Sequence, residues 1–199
     1  MHDKDAMSDS ISTQPRLHWL DENHYERGNA VSIIEPTGSG AGILRFQLPP
    51  GDTALRINLS ENNRFPCIRQ RKVADGIVLQ FGEQGQLKAL HLVELKSRLT
   101  GGEWRKVKEQ LQGALHNAHA LLGVLGLALP ARIVCHTAYK QDAISSNPAL
   151  LKMPTGTKAT HSDSDWITDR VTIDPTLPAL DHYKHQRDGN GNASCQIAD

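Results

Sequence analysis

The chain lacks any apolar run of about 18 residues, the length a helical membrane span needs, so no part of it is expected to cross a bilayer that way. Cysteine is scarce. Cys67, Cys135 and Cys195 form neither a zinc nor a redox spacing. Cys67 and Cys135 fall in or beside apolar, strand-like segments and are expected as reduced core residues of a cytosolic protein. The opening stretch, MHDKDAMSDSISTQPR, is acidic and polar, which is unlike a secretory signal and makes the cytoplasm the expected compartment. PTGSGAG lacks the lysine and Ser/Thr of a phosphate loop and reads as a turn. SDSDW at 162–166 lacks the glycine and closing glutamate of an EF-hand and reads as a loop or cap. Net charge is absent as well, because 22 basic and 22 acidic residues cancel. What remains, 199 residues with 38% hydrophobic content and a mean hydropathy of -0.45, suits a single domain with a modest core and polar ends.

Residues 1–15 are expected as a mobile tail. Leu17 to Arg27 suggests a short helix anchored by Leu17, Trp19 and Leu20 and stopped by Gly28. Strand-like stretches follow at 31–34, 41–48 and 54–59, separated by Pro/Gly turns. Past the Gly101-Gly102 pair, Trp104, Val107, Leu111, Ala114, Leu115, Ala118, Leu121, Leu122 and Leu125 recur at helical spacing. They predict a helix from about Glu103 to Leu125. Another strand is expected at Ala131–Thr137, after Pro130. From Ser145 the pattern fades, ITDRVTID offers one more edge strand, and KHQRDGNGNASCQIAD is expected to be disordered.

The most informative segment lies between these parts. KVADGIVLQFGEQGQLKALHLVELKSR reads as two apolar strands joined by a polar, glycine-containing turn. With the hairpin centred on Gln84 and Gly85, Asp75 lies opposite Glu94. Side chains alternate along a strand, so Glu94 and Lys96 share one face and Leu95 takes the other. That face continues with Ile77, Leu79, Leu90 and Leu92. Two carboxylates and an ammonium at the end of a buried apolar strand pair are costly unless paired or bound to a metal. The pattern points to a metal site. An exposed Glu94–Lys96 strand pair, with Asp75 at a strand start, is the plainer alternative.

The spacing Asp75-x18-Glu94-x-Lys96 resembles the PD-(D/E)XK nuclease superfamily, over roughly residues 60–138. The resemblance implies an α/β fold with a restriction-endonuclease-like core, a mixed central β-sheet flanked by helices. It makes Asp75 and Glu94 ligands of Mg²⁺, with Mn²⁺ as a substitute, and adds the backbone carbonyl of Leu95. Lys96 becomes the residue that orients or deprotonates the attacking water. The residue types suit this chemistry. Carboxylates hold Mg²⁺ with open water positions, the metal activates water, and a cation offsets charge developing on the phosphate.

Members of the superfamily often place a helper glutamine or lysine on the following helix. Lys108, Gln110 and Gln112 are candidates, Gln110 first on spacing. The glutamine-to-tyrosine pair of the RecB-like subgroup is missing, since Ala114 and His116 occupy the tyrosine positions. A further glutamate would come from the first helix, Glu22 or Glu26, or from Glu61. His116 and His119, three apart, are expected as surface residues. Basic residues crowd this region, with ten Lys/Arg against six Asp/Glu over residues 61–110. Arg69, Arg71, Lys72, Arg98 and Lys108 are expected to grip a phosphate backbone, and the alternative is that they merely solvate the surface.

The resulting expectation is a flexible tail at 1–15, a nuclease-like domain at 16–157 and a polar, partly disordered extension at 158–199. The expected activity is metal-dependent phosphodiester hydrolysis, with DNA favoured over RNA as partner and no membrane. A homodimer or larger complex stays open. A nuclease-fold binding or assembly subunit, inert alone, is the alternative, and an unrelated interaction domain is a second.

Overall fold

The computed structural model describes residues 16–35, 41–60, 62, 64–146 and 164–197. The expected N-terminal tail, the PTGSG turn and Glu61 lie outside them. Ten strands are described: β1 (Tyr25–Gly28), β2 (Ala30–Glu35), β3 (Gly42–Gln47), β4 (Thr53–Asn58), β5 (Gly76–Phe81), β6 (Leu87–Leu99), β7 (Arg132–Asp142), β8 (Arg170–Val171), β9 (Leu180–Gln186) and β10 (Asn192–Gln196). Two helices accompany them, α1 (Gly101–Leu125) and the single turn α2 (Ser164–Ile167). The protein is an α/β fold on a mixed sheet of seven strands, in the order β1-β4-β5-β6-β7-β9-β8. β6, β7 and β9 run parallel, and the remaining pairs are antiparallel.

β5 and β6 sit in the middle because their side chains are apolar on both faces. Parallel pairing of β6 and β7 requires a crossover, which α1 supplies. The Thr100 hydroxyl caps this helix by accepting the Glu103 N–H at 3.2 Å, and Gly126 ends it at φ 72°, a left-handed conformation that glycine adopts at little cost. The helix stripe from Trp104 to Leu125 packs on Ile77, Leu79, Leu90 and Leu92. The opposite face of the large sheet, including Val78, Val93, Leu95 and Ala138, packs on Val31, Ile33, Leu44 and Phe46. These last residues belong to a second sheet of three strands, ordered β10-β3-β2.

Several expectations are corrected. Among the described residues, helix flanks only one face of the large sheet, and a small sheet covers the other. The segment expected as a first helix forms two 3₁₀ turns, Leu17–Trp19 and Glu22–His24, followed by β1. Asp21 interrupts it by accepting the Asn23 N–H at 2.9 Å, and β4 recruits Tyr25–Gly28 as its neighbour. The polar extension from 158 is integral over its described part. β9 lies inside the large sheet between β7 and β8, and β10 pairs parallel to β3. Polarity misled there because β9 buries His182 where an apolar residue would have announced a strand. α1 starts at Gly101, before the expected Glu103, and β7 runs on to Asp142. Cys67 is exposed, while Cys135 and Cys195 are buried.

Candidate active site

The β5–β6 register pairs Gly76 with Val93, Ile77 with Leu92 and Leu79 with Leu90. Continued by one residue, it sets Asp75 opposite Glu94, as the sequence pattern requires. The Leu95 N–H donates to Asp75 Oδ2 at 2.6 Å. In an extended strand the carbonyl of a residue turns to the same side as its N–H, so the Leu95 carbonyl also faces the Asp75 edge.

Glu94 is 1% exposed, and its Oε1 forms an ion pair with Lys96 Nζ. Its other oxygen, Oε2, is buried with no hydrogen-bond partner among the described residues. Burial pushes Asp75 up to about 6, the Leu95 N–H opposes the rise, and the neighbouring Glu35 carboxylate adds to it. Burial, then the Asp75 charge, raises Glu94 well above the usual carboxylate range, and Lys96 offsets part of this. Burial alone would lower Lys96, but Glu94, Asp75 and Glu35 outweigh it and hold the ammonium charged. Burial at this strand end therefore favours the neutral acids over a pair of carboxylates.

Two members of this cluster escape the sequence reading. Glu35 ends β2, and its buried Oε2 likewise has no hydrogen-bond partner among the described residues. Its one sequence signal is alternation, since Glu35 continues the inward face begun by Val31 and Ile33. Arg187, 4% exposed, follows β9 and donates through Nη2 to the Lys96 carbonyl at 2.5 Å and through Nη1 to that of Ala41 at 3.3 Å. Burial lowers its pKa, and Glu35 and Asp75 pull it back up. Nothing in the polar segment around Arg187 marks it in the sequence.

Other expected residues are placed differently. Gln110 is half-buried on α1, and no hydrogen bond among the described residues joins it to Asp75, Glu94 or Lys96. Lys108 pairs with Asp165 at 3.0 Å, and Lys72 pairs with Glu109. Arg69, Arg71 and Arg98 are exposed, Arg98 one step beyond Lys96 on the same strand face. Glu22 lies in a 3₁₀ turn, and Glu26 pairs with Arg56 at 3.1 Å. No contact among the described residues joins either to Asp75 or Glu94, whereas Glu35 lies near enough to raise both carboxyls. His116 faces Asp174 at 3.4 Å.

Glu94 and Glu35 each keep a buried carboxylate oxygen with no hydrogen-bond partner among the described residues, but Asp75, Glu94 and Glu35 do not gather their oxygens within 4.8 Å of one another. Oxygen donors of this kind suit a hard cation such as Mg²⁺ rather than a thiophilic one. No helix among the described residues is long and apolar enough to cross a membrane. The chain matches no protein-family model, no curated protein and no solved structure.

Proposed function

We propose that the chain is a metal-dependent nuclease of the PD-(D/E)XK type, built on a restriction-endonuclease-like core and acting on DNA in preference to RNA. One observation carries the reading: the Glu94 carboxylate is buried beside Asp75, clamped by Lys96 through one oxygen and left without a partner on the other. A structural ion pair would satisfy both oxygens. A cation site would leave one open.

Asp75, Glu94 and the Leu95 carbonyl would hold Mg²⁺, or Mn²⁺ in its place, with Glu35 close behind. The bound ion would activate water and shield phosphate charge. Lys96, steadied by Glu94, keeps an ammonium beside that position to orient the attacking water and offset charge on the scissile phosphate. Arg187 is a positioning residue, fixing the Lys96 backbone through its carbonyl. Exposed Arg69, Arg71 and Arg98 supply non-specific contacts to the phosphate backbone. Unpaired cysteines suit a reducing compartment, here proposed as the cytoplasm.

Pairing of Lys72 and Lys108 with the protein's own acids favours a second reading, a nuclease-fold binding subunit inert alone. Cleavage assays on linear, circular and single-stranded DNA, with an RNA control and Mg²⁺, Mn²⁺ or EDTA, separate the two. Metal-dependent cutting that disappears in Lys96→Ala supports the enzyme. Folded protein that cuts nothing, and whose Mn²⁺ affinity is insensitive to Asp75→Ala, supports the subunit.

A further inference from the structure

On the face of the large sheet turned away from α1, a chain of buried polar groups crosses the gap between the two sheets. It starts at Asp52, which pairs with Lys88 at 3.0 Å and accepts a hydrogen bond from Gln80 Nε2 at 2.6 Å. Gln80 Oε1 therefore faces His91 Nε2, 3.3 Å away. Next, His91 Nδ1 meets His136 Nε2 at 3.0 Å, and His136 Nδ1 meets His185 Nε2 at 3.0 Å. Cys195 Sγ lies 4.0 Å from the same His136 Nδ1.

The order of donors follows from the first link. A carboxylate can only accept, so Gln80 gives it the amide N–H and presents its carbonyl to His91. His91 must then carry its proton on Nε2, which leaves Nδ1 as an acceptor. His136 donates from Nε2 in turn, which leaves its Nδ1 as a bare lone pair. That lone pair points into the corner between His185 and Cys195. The His136 and His185 rings are 16° apart in plane with centroids 5.3 Å apart, so the rings meet edge to edge.

We propose that His136, His185 and Cys195 form a binding site for a borderline-soft transition-metal cation of the Zn²⁺ class, separate from the carboxylate site. Their ligand atoms all lie within 4.8 Å of one another. Ligands at Zn–N and Zn–S bond lengths stand about 3.3–3.6 Å apart in a tetrahedron. Closure therefore needs the His136 and His185 nitrogens, now 3.0 Å apart and aimed at each other, to spread and tilt toward a shared point. Cys195 must also move inward by roughly 1 Å. His185 gives up its N–H contact to His136 and binds through Nε2 with its proton on Nδ1. Cys195 binds as thiolate and releases one proton to solvent. Two imidazoles and a thiolate select Zn²⁺ over Mg²⁺.

Three further features suit the role. The His91–Gln80–Asp52 relay is the outer support that orients a metal-bound imidazole and makes it more basic. Phe46 packs on both His91 and His136, at 5.7 and 5.1 Å between ring centres, and stiffens them. A small cavity lined by Arg132, Tyr183 and Gln196 reaches His136 and Cys195 and gives a path in. The three ligands come from β7, β9 and β10, so no sequence spacing could reveal them. A bound ion would fasten the small sheet to the large one.

The test is a Co²⁺ titration of the metal-free full chain, followed by Zn²⁺ competition. Wild type should develop near-ultraviolet sulfur-to-cobalt absorption that saturates at equimolar metal, and Zn²⁺ should abolish the band and raise the melting temperature. Cys195→Ser should lose the band, and His185→Ala should weaken binding by about tenfold or more. Cys67→Ser and Glu94→Ala should change neither, which keeps this site independent of the nuclease reading. Circular dichroism checks the fold of each variant, and His185, at the half-exposed rim, stays informative should Cys195→Ser unfold. Absence of the band in wild type, or its persistence in both Cys195→Ser and His185→Ala, would overturn the proposal.

Discussion

Asp75 accepts the backbone N–H of Leu95 at 2.6 Å, and this bond fixes the carboxylate against the residue that separates Glu94 from Lys96. The strand end is thereby held in a geometry that costs stability. Two carboxylates are brought together in a buried place, and both rise above their ordinary range for that reason. Residues kept at such a cost are the usual material of functional sites.

Replacing Glu94 by glutamine should separate stability from activity. The amide keeps the shape and removes the buried charge that Asp75 repels. Lys96 loses its partner, but its side chain is 21% exposed and can rehydrate. Glu94→Gln should therefore be at least as stable as wild type, by on the order of 1 kcal/mol at pH 7.5. Metal-dependent cleavage should fall about a hundredfold or more. Urea melts and cleavage rates on the same preparation check it, and a destabilised, active variant would refute it.

The pH dependence has two opposing parts. His91, His182 and His185 are lowered by burial to about 3, 3 and 4. The unfolded chain binds their protons first, so their contribution is complete above about pH 6.5 and is lost as pH falls toward 4. Asp75 works the other way. Its folded value is raised to about 6, so the folded state takes up the proton first and the carboxylate is a burden above pH 6. Wild type should lose stability on acidification from pH 7 to 5. Asp75→Asn should be more stable than wild type at pH 7.5, by on the order of 3 kcal/mol, with the gap closing between pH 6 and 4. Denaturant melts at pH 7.5, 6 and 4.5 would show it, and a gap that stays constant with pH would rule the burden out.

The hairpin was legible because apolar alternation and a glycine turn together determine register. Gly85 sits at φ 80° in that turn, and pairing down to Gly76 and Val93 follows. The long helix was legible for the same kind of reason, a repeating apolar stripe. Glu35 was half-legible, as a charge on an inward strand face. Arg187 and the His136–His185–Cys195 corner were not, because a neutral buried histidine and an exposed one look alike in sequence. Polar β9 and β10 become strands only through the sheets that accept them. First-helix glutamates failed as candidates because the resemblance supplied a helix that the local sequence, broken at Asp21, does not form.

Nucleic-acid affinity should divide the basic residues into two groups. Arg69, Arg71 and Arg98 are exposed, whereas Lys72 and Lys108 already pair with Glu109 and Asp165. Removing one side chain that neutralises a phosphate reduces the slope of log K against log salt by about 0.9 on duplex DNA. The double variant Arg69→Ala/Arg71→Ala should flatten that slope by roughly 2, and Lys72→Ala by much less. Fluorescence anisotropy across a salt series, with Ca²⁺ in place of Mg²⁺ to block cutting, measures it. Equal slopes for all variants would place DNA elsewhere on the surface.

Arg187 offers the sharpest distinction between a structural and a positioning role. Its guanidinium bonds the Lys96 and Ala41 carbonyls and lies close enough to Glu35 and Asp75 to feel both charges. Lysine keeps the charge but cannot form the two-armed contact. Arg187→Lys should therefore preserve most Mn²⁺ affinity while lowering kcat about tenfold or more, because Lys96 is no longer held in place. Arg187→Met should do more, leaving Glu35 and Asp75 less compensated and raising the Asp75 pKa further. Its cleavage pH profile should shift to higher pH than that of Arg187→Lys. Matching profiles and equal losses in the two variants would reduce Arg187 to a packing residue.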